Sequence, residues 1–172
     1  MKTFVTSNQQ FGRPGAIKSY KRPFEDVQEM NQTLFESWNS TVSPEDIVYV
    51  LGNFAWDPET AEYFLRNLNG TIINIDGEFD QALEELEETA SALDIDFFNG
   101  LLEVFSEENA VLSYWPLLEW PRKSKGAYSI IGFPNKKYAS NHKTKTINCC
   151  CDFWEFKPVE LSKIIELFNE VE

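Results

Sequence analysis

Two rhythms of apolar and polar positions alternate along the first half of this chain: short continuous apolar runs, and longer stretches with an apolar residue every three or four positions. Lys2 to Thr6 fits a short buried strand, and it feeds a polar loop that holds Gly12, Pro14 and Gly15. Val27, Met30, Leu34, Phe35 and Trp38 then recur at helical spacing, and Ser43-Pro44-Glu45-Asp46 turns the chain into the apolar run Ile47 to Leu51. Asp57-Pro58 predicts an N-cap and first turn for a helix whose inner face is Ala61, Phe64, Leu65 and Leu68. Asn69-Gly70 stops that helix before a strand over Thr71 to Ile75. Two helical crossovers joining three apolar strands predict a largely parallel sheet, and strand-end loops are where α/β proteins place function.

The second half has a different rhythm. Gln81 to Leu93 is expected to be a helix, with Leu83, Leu86, Ala90 and Leu93 on one side. Glu84, Glu85, Glu87 and Glu88 lie elsewhere on it, with Glu103 a little beyond, and this charge run reads most simply as a solvated face, or else as a surface for a basic partner. The spacing then shortens to strand-like pieces around Leu101 to Phe105, Ala110 to Tyr114, Tyr128 to Ile131 and Lys145 to Cys151, which predict a second sheet. Leu161, Ile164, Ile165 and Phe168 give an amphipathic C-terminal helix entered through Pro158. With 172 residues, 42% of them hydrophobic, and no internal repeat or linker, one domain spanning 1–172 is expected.

Charge changes this picture in one respect. A formal charge of −13 argues against nucleic-acid binding, yet it is unevenly placed. No acid precedes Glu25, and none lies between Pro121 and Cys151, where seven lysines and arginines gather around His142, the only histidine. No apolar run approaches the roughly 18 residues of a membrane span, and no signal core follows Lys2, so a soluble, cytoplasmic protein without a membrane partner is expected. Cys149, Cys150 and Cys151 are consecutive, a poor arrangement for disulfides or zinc, and reduced thiols alternating across a strand are expected.

Five segments in order carry the candidate chemistry: TSNQQFGR (Thr6 to Arg13), LGNFA (Leu51 to Ala55), DGEFD (Asp76 to Asp80), LSYWPL (Leu112 to Leu117) and IGFPN (Ile131 to Asn135). Through them, and through Lys21 to Gly52 and Cys150 to Ile164, the whole chain resembles the small calcineurin-like metallophosphoesterases of bacteria and phages. The resemblance implies a four-layer α/β/β/α sandwich, and, in active members, phosphoester hydrolysis by two divalent cations and a bridging hydroxide. Two metals would generate the nucleophile at neutral pH and clamp the charge on the phosphoryl oxygens.

Each metal motif departs from the family pattern. Asp-x-His stands as Asn8-Gln9-Gln10, a further loop histidine falls at Arg13, and the bridging aspartate of Gly-Asp is Asn53. Gly-Asn-His-Asp becomes Gly77-Glu78-Phe79-Asp80, the histidine before Pro116 falls at Tyr114, and Gly-His-x-His becomes Gly132-Phe133-Pro134-Asn135. The expected ligand positions are therefore Asn8, Gln10, Asn53, Glu78, Tyr114, Phe133 and Asn135, and among them only Glu78 is an anion. Neutral amides compete poorly with water for a divalent ion, so no metal, no cofactor and no catalysis by the family mechanism are expected. Asp-to-Asn changes also remove the carboxylate repulsion that metal-free ligands would suffer.

Two functions follow from this reading. The first is a pseudoenzyme serving as a protein-interaction module, an adaptor or inhibitor acting on a protein partner. The alternative is metal-free binding of a phosphate-bearing small molecule or nucleotide in the former cleft, with Asn8, Arg13, Asn53 and Asn135 as anion-binding groups. A lesser reading is a rearranged catalytic site drawn from Glu78, Asp80, Asp57 or His142. Phe79, Tyr114, Trp115 and Phe133 are expected to fill volume that ions and water would occupy.

Overall fold

A computed structural model describes residues 1–86, 96–98, 100–104 and 109–170. β1 (Thr3–Thr6), β2 (Ile47–Leu51) and β3 (Thr71–Ile75) form a parallel sheet, with Thr3 opposite Ile47 and Ile47 opposite Thr71. β4 (Asp96–Phe98) extends it in parallel beside β3, and β9 (Val159–Glu160) closes the other edge antiparallel to β1. A second sheet runs in the order β5 (Leu101–Val104), β6 (Ala110–Ser113), β7 (Tyr128–Ile131), β8 (Thr146–Asn148). Its last three strands are parallel and β5 is antiparallel to β6. The chain is therefore a mixed α/β fold built on two sheets, as the two hydropathy rhythms predict.

The helices follow their local signals. Asp26 caps α2 (Val27–Asn39) by accepting from the Glu29 amide, and Asp57 caps α3 (Pro58–Asn67) by accepting from the Thr60 amide at 2.9 Å. The segment around Pro14 and Gly15 is a correction to the sequence reading, because it is a helix, α1 (Pro14–Tyr20), rather than a loop. Pro14 sits in its first turn, where no backbone amide is needed, and Arg13 in extended geometry starts it. The stretch from Gln81 enters α4 (Gln81–Glu84), whose Glu84 and the following Glu85 are exposed; the rest of that expected helix, residues 87–93, lies outside the described residues. The C-terminal helix α5 (Leu161–Asn169) forms as expected, one strand after Pro158.

Alternation along the strands separates two cores. Phe4, Val48, Val50 and Ile72 face α1 to α4 and pack with Met30, Leu34, Trp38, Ala61 and Phe64. Val5, Leu51 and Ile75 face the other way, onto Ala110, Leu112, Ile130 and Ile147 of the second sheet and onto Leu161, Ile164 and Ile165 of α5. The three cysteines are free and buried, and they cross from one core to the other: Cys149 lies between the sheets and Cys151 on the helical side. They follow β8 rather than lie in it, because the Asn148 side chain accepts from the Cys150 amide and Cys151 begins a short 3₁₀ turn.

The sheets meet at the carboxyl ends of β1, β2 and β7. Ser7 donates to the Gly132 carbonyl at 2.8 Å, and a Cβ on Gly132 would come within 2.1 Å of the Leu51 carbonyl oxygen. That approach admits glycine alone without backbone movement. Gly132→Ala is expected to lower stability by about 1–3 kcal/mol, read as a lower urea midpoint with an unchanged slope; an unaltered midpoint would contradict the close approach of the sheets.

Candidate functional site

Backbone pairing builds the site before any side chain is considered. Beyond β1 and β2 the two loops remain zipped, with the Asn8 amide donating to Gly52 at 2.9 Å, Gln10 to Asn53 at 2.9 Å and Phe11 to Phe54 at 3.0 Å. To follow each other's path, Asn8, Gln10 and Asn53 adopt left-handed backbone geometry with φ of 62°, 53° and 59°. Asparagine tolerates this region well and glutamine less so, so these positions carry local strain that the surrounding bonds must hold. Gly52 and Gly77 lie back to back, where a Cβ on Gly52 would meet the Gly77 Cα at 2.5 Å. Asp80 fixes the third loop by accepting from the amides of Asn53 (2.8 Å), Phe54 (2.8 Å) and Gly77 (2.6 Å). Its burial raises the carboxyl's pKa while those three donors act in the opposite direction.

Within this frame Asn8, Gln10, Asn53 and Tyr114 are brought together and bond one another. The Asn8 side-chain oxygen accepts from the Gln10 amide and from the Asn53 amide, the latter at 3.2 Å. Asn53 also donates to the Tyr114 hydroxyl at 3.0 Å and accepts from the Phe79 backbone amide at 3.0 Å. Gln10 donates to the Tyr20 hydroxyl at 2.9 Å and accepts from Arg13 at 2.6 Å, while Asn8 donates to Asp152 at 3.1 Å. Each of the three amides thus both donates and accepts inside the protein. All three are buried, and burial pushes the Tyr114 hydroxyl above its ordinary pKa, so it remains a neutral partner.

The remaining positions lie around this network. Phe133 packs edge-on to Tyr114 (5.6 Å between centroids) and against Trp115 (5.2 Å). Asn135 is exposed and caps a short turn by accepting from the Lys137 amide; Glu78 is exposed at the rim. The Arg13 guanidinium lies 4.5 Å from the Trp56 ring centroid and 4.6 Å from that of Phe79, a cation between two aromatic faces. Of the proposed anion-binding set, Asn8, Arg13 and Asn53 are thus already engaged, and only Asn135 faces solvent.

The donor chemistry does not fit a pair of divalent cations. Amide nitrogens point at the oxygens that would have to ligate, Tyr114 and Phe133 offer rings rather than imidazoles, and no cluster of three His, Cys, Asp or Glu suited to a metal occurs among the described residues. Asp57, Asp80 and His142, three of the residues considered for a rearranged catalytic site, have structural contacts. Asp57 caps α3, Asp80 holds backbone amides, and His142 stacks on Phe168 at 3.8 Å.

Sequence reasoning did not single out the group that holds the site together. Arg22, with a fully buried side chain, donates to Asp152 through Nε (2.9 Å) and a terminal nitrogen (2.8 Å). It also donates to the backbone carbonyls of Gln9, at 2.8 Å, and Asn8. Its burial would lower its pKa, but Cys151 and the Asp152 carboxylate more than offset that. Burial likewise pushes Asp152 up, and Arg22 outweighs it to hold the carboxyl below the ordinary aspartate value. The available signal was thin: a charge beside Pro23, and an acid immediately after a buried apolar run.

No family profile matches the chain. It is similar to uncharacterized protein MJ1445 of Methanocaldococcus jannaschii, 27% identical over 177 residues, which cover 98% of this chain and 92% of that one. In fold it is similar to the crystal structure of a protein of unknown function, AQ665, from Aquifex aeolicus, with a TM-score of 0.71 at 19% identity over 96% of this chain and 98% of the other.

Replacing Arg22 by Met strands a buried carboxylate and is expected to cost about 3–5 kcal/mol in urea unfolding. Pairing it with Asp152→Leu should recover part of that loss, because no unpaired charge remains while the Asn8 and Gln9 carbonyls still lose Arg22 as a donor. Because the folded-state pKa of Asp152 lies below its unfolded value, the pair's contribution is complete above about pH 4 and lost as pH falls further. The Arg22→Met, Asp152→Leu double variant should therefore lose less stability on acidification than the parent; an identical acid profile would contradict this assignment.

Proposed function

We propose that this chain is a catalytically silent relative of the calcineurin-like metallophosphoesterases, with their four-layer α/β/β/α plan, that works as a protein-interaction module. One observation carries the reading: the side chains at the metal-ligand positions form a closed hydrogen-bonded set among Asn8, Gln10, Asn53 and Tyr114. Binding a cation there would require breaking those bonds and turning amide donors away, with no carboxylate offered in return. A site merely short of one ligand would keep its other donors aimed at a common point. Here the donors are aimed at each other, as in a core adapted to stand without metal. What the scaffold then offers is surface, and an inherited strand-end cleft bordered by exposed aromatics is suited to a protein partner.

Metal-free recognition of a phosphate-bearing molecule is a second reading, favoured by one feature. A cavity of about 290 Å³ beside the amide set is lined by Tyr20 and Lys21 from the first acid-free segment and by Asn135 and Lys136 from the other. Asp152, the one carboxylate on its wall, is neutralised by Arg22.

One assay series addresses both readings. With manganese and nitrophenyl phosphoesters the protein is expected to give no turnover above buffer. Hydrolysis abolished by Glu78→Ala would overturn the proposal. In chelator, a melting-temperature rise with nucleotides that Lys21→Ala removes would move the function to the phosphate-binding reading.

A further inference from the structure

Beside the amide set, the loop after β6 and the turns after β7 enclose an apolar groove of about 480 Å³. Trp115, Phe133 and Tyr138 line it as a contiguous row of rings together with Leu118, and Trp115 and Leu118 have relative exposures of 50% and 88%. Exposed side chains of that size concentrated at one place on a soluble surface mark a binding site more often than chance. The floor of the groove is continuous with the former metal site. Tyr114, fixed by its bond from Asn53, packs edge-on against Trp115 at 4.8 Å and Phe133 at 5.6 Å, and Phe133 in turn meets Tyr138 at 5.6 Å. Two residues at expected metal-ligand positions, Tyr114 and Phe133, thus stand as the groove's foundation.

One lysine, Lys137, lines the groove, and others stand on the turns beside it. The turns that bound the groove carry Lys136, Lys137 and Lys143, all exposed, and the Lys137 ammonium lies 5.8 Å from the Tyr138 ring centroid. No acid occurs between Pro121 and Cys151, and the one at Glu119 is paired with Lys123 at 2.9 Å.

Resting on the interaction-module reading, we propose that this groove docks an acidic peptide segment of a partner protein, with apolar or aromatic side chains packing against Trp115 and Tyr138. The lysine rim selects carboxylates and the apolar walls supply the anchor pocket. A second copy of this chain joined face to face would set lysine rim against lysine rim, an unfavourable contact in an isologous dimer. A nucleic-acid strand would meet the lysines here, but its extended charge would face a chain of net charge −13. Several linings, among them Pro116, Leu118 and Ala139, are aliphatic and give bases little to stack on.

The test uses the whole chain to select from a displayed library of random peptides, with a Trp115→Ala variant of unchanged melting temperature as counter-selection. Enriched sequences are expected to combine Asp or Glu with Trp, Phe or Leu. Binding of a synthetic winner should weaken as salt rises, and weaken by about tenfold or more in Trp115→Ala and in Tyr138→Ala. Lys136→Glu with Lys137→Glu should weaken it further and flatten the salt dependence. Enrichment of basic peptides, equal binding by Trp115→Ala, or no enrichment over it would overturn the proposal. Displacement of the winner by oligothymidine, or a dimer in sedimentation that Trp115→Ala converts to monomer, would reassign the groove and likewise overturn it. Failure of peptide binding in a protein that leaves nitrophenyl phosphoesters intact rejects this surface alone, whereas phosphoester turnover rejects catalytic silence and leaves the groove assignment supported by its own binding data.

Discussion

The buried guanidinium of Arg22 ties together stretches of chain that are far apart in sequence, reinforcing the backbone bond from Cys151 to Ser7. Its donors reach the carbonyls of the loop after β1 and both oxygens of Asp152, a residue 130 positions away that follows the cysteine run. Without that clamp, the left-handed geometry of Asn8 and Gln10 would lack the carbonyl anchoring that holds it. Asp152 then passes the constraint onward by accepting from the Asn8 side chain, the first member of the amide set. Because the pair is buried, its value lies less in net attraction than in the cost of breaking it, which makes the loop's path a single state rather than one of several.

A buried polar set is costly unless it is bonded, and Asn8, Gln10 and Asn53 each both donate and accept here. Arg13 closes the outer end, donating to Gln10 while resting between Trp56 and Phe79, and Tyr114 closes the inner end. The two arginines place fixed positive charge near a cluster of amide and carbonyl oxygens. Tyr114 also turns a polar boundary into an aromatic one, because the hydroxyl bonded by Asn53 sits on a ring that packs against Trp115 and Phe133.

Much of the scaffold was legible in the residues because local rules and tertiary packing agree there. The apolar runs Ile47 to Leu51 and Thr71 to Ile75 are strands, and Asp57-Pro58 opens α3, since nothing in the packing opposes their preferences. Pro14-Gly15 has the residue types of a loop, yet proline at a first turn costs no bond, and Ala16 and Ile17 bury against the core. β9 is two residues long and carries no pattern of its own; only pairing with β1 defines it. Asn8, Gln10, Asn53 and Tyr114 stood out in the sequence, and the structure brings them together, but the bonds that join Asn8 to Asn53 and Asn53 to Tyr114 cross 45 and 61 positions, separations that no local pattern encodes. Arg22 was hidden for the same reason.

The central claim is that hydrogen bonds among Asn8, Gln10, Asn53 and Tyr114 have replaced metal coordination. Calorimetric titration of the chelator-treated protein with manganese, joined to its melting temperature with and without the ion, tests this most directly. The account predicts no saturable binding and an unchanged melting temperature, because the side-chain oxygens of Asn8, Gln10, Asn53 and Tyr114 are already engaged within the protein. Stoichiometric binding that raises the melting temperature, and that Asn53→Ala abolishes, would contradict it.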